Sequence, residues 1–225
     1  MSQTLKEAMR TRHTVRKYRD TELSSEIIHQ LEERVQENNR KHGISISLVT
    51  GNSEAVPGII KLLLAKGVKN YFILAGPDAP DTEEKLGYAS ADLMLYAQTL
   101  GLNTWWIGGM YSKSGARKNA AKSNAEKIIG IVVVGYGESQ GKPHRSKTAA
   151  EISSYEGEAP LWFQNGVEAV LLAPTAINRQ AYTIRGNGRQ VEITYKEGAF
   201  SAADLGIGKY HFELGAGKDQ FDWKK

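Results

Sequence analysis

The sequence predicts an α+β fold: helices packed around a long central helix and an antiparallel-rich sheet, built from two unequal halves at residues 1–150 and 151–225. Three observations predict it. Apolar runs of strand length, some alternating and some continuous, are interleaved with segments of helical spacing. A long pattern rich in small residues occupies 83–100, and the last third repeats the layout of the first hundred residues in shortened form.

Leu5, Ala8 and Met9 mark a short first helix that ends at residues 12–16. Ser24 is then placed as an N-cap, with Glu26 in the first turn, Ile27, Ile28, Leu31 and Val35 on one face, and Gly43 as the C-terminal stop of a surface helix. Ile44, Ile46 and Leu48 alternate with Ser45 and Ser47, which predicts a half-buried strand. Residues 59–65 read as a short helix and 70–75 as a more deeply buried strand.

Over 83–100, Leu86, Ala89, Leu93, Ala97 and Leu100 keep helical spacing, and Gly101 stands where a C′ glycine belongs. The small residues Gly87, Ala89, Ser90 and Ala91 predict close packing against another helix. A basic stretch at 114–127 reads as helical, and the apolar run 128–134 as an interior strand. Later come a helix over 161–173, strands at 182–185 and 190–195 joined by a turn at Gly186-Asn187-Gly188, and a helix opening at Asp204. The sequence Lys85-Leu86-Gly87-Tyr88 closing on Leu100-Gly101 is matched by Asp204-Leu205-Gly206-Ile207 closing on Leu214-Gly215. That match predicts an internal duplication; two ordinary amphipathic helices with glycine caps would give the same pattern.

With 225 residues, 40% of them hydrophobic, the chain can bury a real core. Lys and Arg exceed Asp and Glu by 29 to 25, a mild basic excess that a few phosphate contacts in one pocket satisfy. No basic run has the length of a nucleic-acid arm. The absence of cysteine excludes disulfides, thiol redox chemistry and cysteine-bound metal, so redox chemistry needs a bound cofactor. The first residues carry no apolar stretch of signal-peptide type and the longest apolar run is too short to span a bilayer, so the expected home is the cytoplasm, with no membrane and no nucleic-acid partner.

Two fragments carry the chemistry although about 160 residues separate them. The first is Arg12-His13-Thr14-Val15-Arg16, followed by Lys17-Tyr18. It resembles the N-terminal signature of the FMN-dependent nitroreductase family, Arg-x-Ser-x-Arg and then an aromatic, with threonine replacing serine. The second, Pro174-Thr175-Ala176-Ile177-Asn178-Arg179-Gln180, is similar to that family's Pro-Ser-Ala-x-Asn-x-Gln. Between them, Leu100 to Gly109, with Trp105-Trp106-Ile107-Gly108-Gly109 at its end, is similar to the family's helix end and the loop beneath the isoalloxazine. Pro143-His144-Arg145-Ser146-Lys147, after Gly135-Tyr136-Gly137, matches the place where members often carry a basic residue.

The resemblance implies a nitroreductase-like fold with FMN as cofactor and NAD(P)H as co-substrate. It assigns Arg12 and Arg16 to the phosphate, ribityl and ring-edge oxygens, tasks that suit the planar paired donors of guanidinium. It also places His13 and Thr14 in the cradle, the backbone of Trp106, Ile107, Gly108 and Gly109 against the ring, and Arg145, with Lys147 second, on the phosphate. In ordinary members the Pro-Ser-Ala motif follows the first signature closely and the partner subunit supplies it. Here no copy stands between Leu31 and Leu48, so Pro174, Thr175, Ala176 and Asn178 of the second half are expected to complete the site. The implied molecule resembles the nitroreductases described as fused dimers: a monomeric pseudo-dimer, with a homodimer also compatible.

The implied activity is an oxidoreductase moving hydride from NAD(P)H through FMN to a small-molecule electron acceptor such as a nitroaromatic or quinone. A flavin-binding protein for storage or sensing needs the same cradle and stays open at this point. Gly137-Glu138-Ser139-Gln140-Gly141 fits a nucleophile elbow, with Asp204 and His211 in the chain order of a hydrolase triad, but Gly141-Lys142-Pro143 opposes the helix an elbow requires. No dinucleotide fingerprint or P-loop occurs, and the five histidines show no metal spacing. His211 reads as a helix residue with a local hydrogen bond.

Overall fold

A computed structural model describes residues 3–120 and 127–224. Two four-stranded sheets are joined by helices. The first is antiparallel throughout, in the order β1 (Ser47–Val49), β2 (Tyr71–Gly76), β4 (Lys127–Gly135) and β3 (Asn103–Ile107). Every residue of β2 is buried, because both faces of the sheet are covered. Phe72, Leu74, Val132 and Val134 face one core with α2 (Ser25–His42) and α4 (Thr82–Thr99). Tyr71, Ile73, Ile131 and Val133 face another, with Val15, Tyr18 and Ile60 of the short helix α3 (Gly58–Leu63).

The second sheet has the order β5 (Ser153–Tyr155), β6 (Tyr182–Asn187), β7 (Gln190–Tyr195) and β8 (Asp222–Trp223). Only its central hairpin is antiparallel; β5, which directly follows the short helix α6 (Ala149–Ile152), and β8 add in parallel at the edges. Its core is aromatic, with Phe163 of α7 (Leu161–Leu171) against Phe212 of α8 (Ser201–Ala216). The first helix, α1 (Leu5–Thr11), lies where α4, α7 and α8 meet, and buries Ala8 and Met9 against Ala91, Leu95, Ala173 and Ile207.

Local chemistry sets the ends of these elements. The Ser24 hydroxyl accepts the Ile27 N–H at 3.3 Å, and Gly43 closes α2 at φ 64°. Gly101 follows α4 at φ 79°. Strand β1 is shorter than the alternation implied: Ile44 and Ile46 are buried but precede it. The predicted 114–127 helix is only α5 (Lys113–Asn119); Lys127 already opens β4, and 121–126 lie outside the described residues. The hairpin turn is not Gly186-Asn187-Gly188. Asn187 still pairs with Gln190, which leaves Gly188-Arg189 as the turn. Gly186 is instead a packing glycine, since a Cβ there would strike the Tyr155 and Phe163 rings. Gly215, expected to cap a helix, lies inside α8 and lets it approach Ala169 and Asn165 of α7. Among the described residues, no helix is long and apolar enough to cross a membrane.

Candidate functional site

The segment after α1 is extended and pinned from several sides. Thr14 bridges Thr104 of β3 in parallel, with the Val15 N–H donating to the Thr104 carbonyl at 3.1 Å. Tyr18 N–H donates to the Lys66 carbonyl at 2.8 Å and Lys66 N–H to the Arg16 carbonyl at 3.0 Å. On its other flank, Tyr18 bridges Gly137. This basic segment is thus a strip laid against the first sheet.

Its two arginines differ. Arg12, the residue that caps α1, is 4% exposed, makes no ion pair among the described residues, and leaves its Nε without a partner. Burial pulls its pKa down to about 10, opposed by the Tyr18 phenol, so the group stays charged at neutral pH. Arg16 is exposed and lies over the Trp105 ring, its guanidinium carbon 5.3 Å from the centroid.

Two histidines, His13 and His211, interact with Arg12, and both interact with His144. His211 on α8 is 1% exposed; one ring nitrogen, Nδ1, lies 2.8 Å from the Ile207 carbonyl, the local contact expected of it, while Nε2 has no partner. Desolvation is the main force lowering its pKa to about 4, helped by Arg12 and His144 and opposed by the Ile207 contact. His13 is half-buried and also shifted down, first by burial and then by Arg12 and His144. An unpaired buried guanidinium is a ready donor for an anionic oxygen, whereas neutral His211, which donates its Nδ1–H to the Ile207 carbonyl, leaves Nε2 as a lone-pair acceptor.

The loop after β4 connects this end of the chain to the second motif. Glu138 N–H donates to the Lys17 carbonyl at 2.9 Å. A Cβ on Gly141 would fall 2.8 Å from the His13 Cβ. Further along, His144 Nε2 lies 2.9 Å from the Leu171 carbonyl, and the Asn178 amide donates to the Arg145 carbonyl at 2.8 Å. Gln180, 1% exposed, is the knot: its Oε1 accepts the Lys147 N–H at 2.8 Å, its amide nitrogen reaches the Leu171 carbonyl at 2.9 Å and His144 Nε2 at 3.0 Å, and its N–H donates to Thr175 Oγ1 at 3.0 Å. Gln180 belongs to the motif, but nothing in the sequence shows that it is buried; a polar residue inside a motif that also carries Asn178 is the only signal.

Within the motif, Ala176–Asn178 forms a 3₁₀ turn whose N-terminal N–H, from Ala176, donates to both carboxylate oxygens of Asp204, at 3.1 and 3.2 Å. Ile177, Asn178 and Gln180 all adopt left-handed φ of 47°, 58° and 44°, a costly run for a β-branched residue such as Ile177. Asp204 is buried, and desolvation raises its pKa to about 6, against the lowering contributions of Tyr195, the Ala176 N–H and Arg179.

The other expected residues are placed as follows. Pro174 and Thr175 are half-buried and Asn178 is exposed. Arg145 is exposed, whereas the Lys147 ammonium is tied to the Gln180 carbonyl at 2.9 Å. The Ile107 side chain is core, and Trp106 is anchored to α4 through its Nε1, which lies 3.3 Å from Ser90 Oγ. Gly108 offers bare backbone, but two rings lie against it: a Cβ on Gly108 would lie 2.5 Å from both Phe200 Cε1 and Trp106 Cζ3. A groove of about 300 Å³ lined by Gln30, Glu33, Arg34, Glu37, Arg40 and Tyr96 contains none of the cradle residues. No cluster of metal ligands occurs among the described residues.

In comparisons with known proteins, no curated protein matches. Among solved structures, a putative nitroreductase from Thermotoga maritima superposes with a TM-score of 0.70 at 18% identity, over 97% of this chain and 86% of its own. Two putative nitroreductases solved in complex with FMN also share the fold. The one from Exiguobacterium sibiricum gives a TM-score of 0.55 at 15% identity, over 69% of this chain and 99% of its own. The one from Desulfovibrio desulfuricans gives 0.53 at 16% identity, over 71% and 100%. The family model described as "Putative TM nitroreductase" matches residues 4–216, and the chain belongs to that family.

Proposed function

We propose that the protein is an FMN-dependent oxidoreductase that passes hydride from NAD(P)H to a small electrophile such as a nitroaromatic or quinone. The observation that carries this reading is Arg12: a buried cation without a carboxylate, whose Nε–H has no partner. An anionic oxygen at the Arg12 guanidinium would offset its desolvation, and the FMN bound by two proteins of the same fold carries such oxygens. FMN, when bound, supplies the hydride chemistry.

The chain's residues supply the rest. Arg12 holds an anionic oxygen at the closed end of the cradle, with His13 and Thr14 beside it. Arg16, exposed over the Trp105 ring, serves the ring edge, where a cation favours negative charge on a reduced ring. Arg145 serves the phosphate, with Lys147 behind it on Gln180. The backbone of 106–109 offers N–H donors, and Gly108 is the place where a planar ring can lie against the main chain.

We further propose that residues 1–150 and 151–225 act as the two halves of a pseudo-dimer, with Pro174, Thr175, Ala176 and Asn178 completing in cis what a partner supplies elsewhere. The loop 137–147 supports this, since it touches His13 at one end and Asn178 at the other. The packing of Phe200 over Gly108 is the observation favouring the second reading, a flavin carrier without appreciable turnover. Anaerobic addition of NADH or NADPH to the FMN-loaded protein separates them: rapid loss of visible flavin absorbance is expected of the reductase, and a persistently oxidised flavin would reject it in favour of the carrier.

A further inference from the structure

Phe200 is the one described aromatic residue with a left-handed backbone, at φ 64°, and it stands immediately before α8 without a side-chain capping bond. Aromatic side chains pay for that conformation; glycine does not. What holds it is the ring, which lies edge-on to Trp106 with centroids 5.6 Å apart and planes at 76°, and covers Gly108 and Gly109.

We propose, resting on the flavin reading above, that the Phe200 ring is a displaceable plug: it occupies the bare backbone face of Gly108 and Gly109 and leaves when a planar cofactor takes that face. The surface is one that only glycine can offer, and it already accepts an aromatic ring, so its shape suits a flat π-system. Release relaxes the left-handed backbone, so part of the cost of opening is returned.

The movement can stay local. Phe200 leads into the turn that carries Asp204, whose N–H donates to the Phe200 carbonyl at 2.8 Å and whose carboxylate fixes Ala176. The plug therefore connects the glycine surface of the first half to the Pro174 motif of the second. A site closed in most molecules shows a weakened apparent affinity, because binding waits for the minor open state.

Stopped-flow mixing of the full chain with FMN tests this, comparing wild type with Phe200→Gly, which keeps the left-handed backbone without strain. The wild-type binding rate is expected to level off as FMN rises, because opening precedes binding, and Phe200→Gly to bind without that plateau and about tenfold more tightly. The wild-type plateau alone supports the plug if the variant does not fold. A wild-type rate that climbs linearly, or a folded Phe200→Gly that binds FMN no more tightly than wild type, overturns the plug and leaves the cofactor reading standing. If neither protein binds FMN, both fall together.

Discussion

Gly87 and Gly206 meet reciprocally where α4 crosses α8. A Cβ on Gly87 would strike the carbonyl oxygen of Ala203, three residues before Gly206, and a Cβ on Gly206 would strike that of Glu84, three residues before Gly87. Such exchange of equivalent contacts is the mark of an isologous interface, here between two helices of one chain. It supports the duplication suggested by the paired Leu-Gly sequences. Around it, Lys209 pairs with Glu84 at 2.5 Å and the Tyr88 hydroxyl lies 2.5 Å from Glu213 Oε2.

Gly87→Ala and Gly206→Ala should each destabilise the fold by about 3 kcal/mol or more, since neither carbonyl is the tip of a movable side chain. Chemical denaturation of the two variants checks this. Wild-type midpoints would contradict the close crossing.

Arg12→Met separates function from stability. Removing a buried charge that has no counter-ion should leave the FMN-free protein as stable as wild type, or more stable by about 1 to 3 kcal/mol, because the desolvation cost disappears. FMN affinity should fall by at least about 1.5 to 3 kcal/mol per charged hydrogen bond lost. Thermal melts with and without FMN measure both; a large loss of stability in the FMN-free variant would show Arg12 to be structural.

Two buried groups oppose one another in acid. His211 has a folded pKa near 4, below the unfolded value of about 6.5, so the unfolded chain binds the extra proton and stability falls as pH drops through that window. Asp204 has a folded pKa near 6, above the unfolded value of about 3.9, so the folded chain binds the proton first and stability rises over nearly the same range. Each effect is on the order of 2 to 3 kcal/mol. His211→Gln should therefore show stability increasing, relative to wild type, from pH 6.5 to 4, and Asp204→Asn should show the reverse. Denaturation midpoints across that range, equal in slope for all three proteins, would refute the assignment.

Gln180→Ala should free the loop from the second motif. It removes partners from Lys147, His144 and Leu171 together, at a cost of about 2 to 4 kcal/mol. Hydrogen exchange over 139–147 should rise while β2 and β4 stay protected. Exchange spreading equally through the first sheet would mean that Gln180 supports the whole fold.

Much of this was legible in the sequence, for local reasons. Ser24 and Gly43 delimit α2 because capping is local chemistry, and the run at 128–134 reads as an interior strand because both faces are apolar. Burial of polar groups left no trace. Arg12 and Gln180 look like surface residues in the sequence, and only the packing of α1 and the loop against α7 and α8 encloses them. Glycines misled in the second half, where Gly186 and Gly215 serve close packing and not turns. Phe200 was invisible as a site residue, because a left-handed aromatic has no sequence signature.

The central claim is that one chain builds one flavin site from both its halves. Titration of FMN into the purified protein, with the mass of the complex measured on the same sample, tests it most directly. The account predicts saturation at one FMN per chain on a particle of the chain's own 24.8 kDa. FMN that binds only when two chains associate, or that does not bind at all, would contradict it.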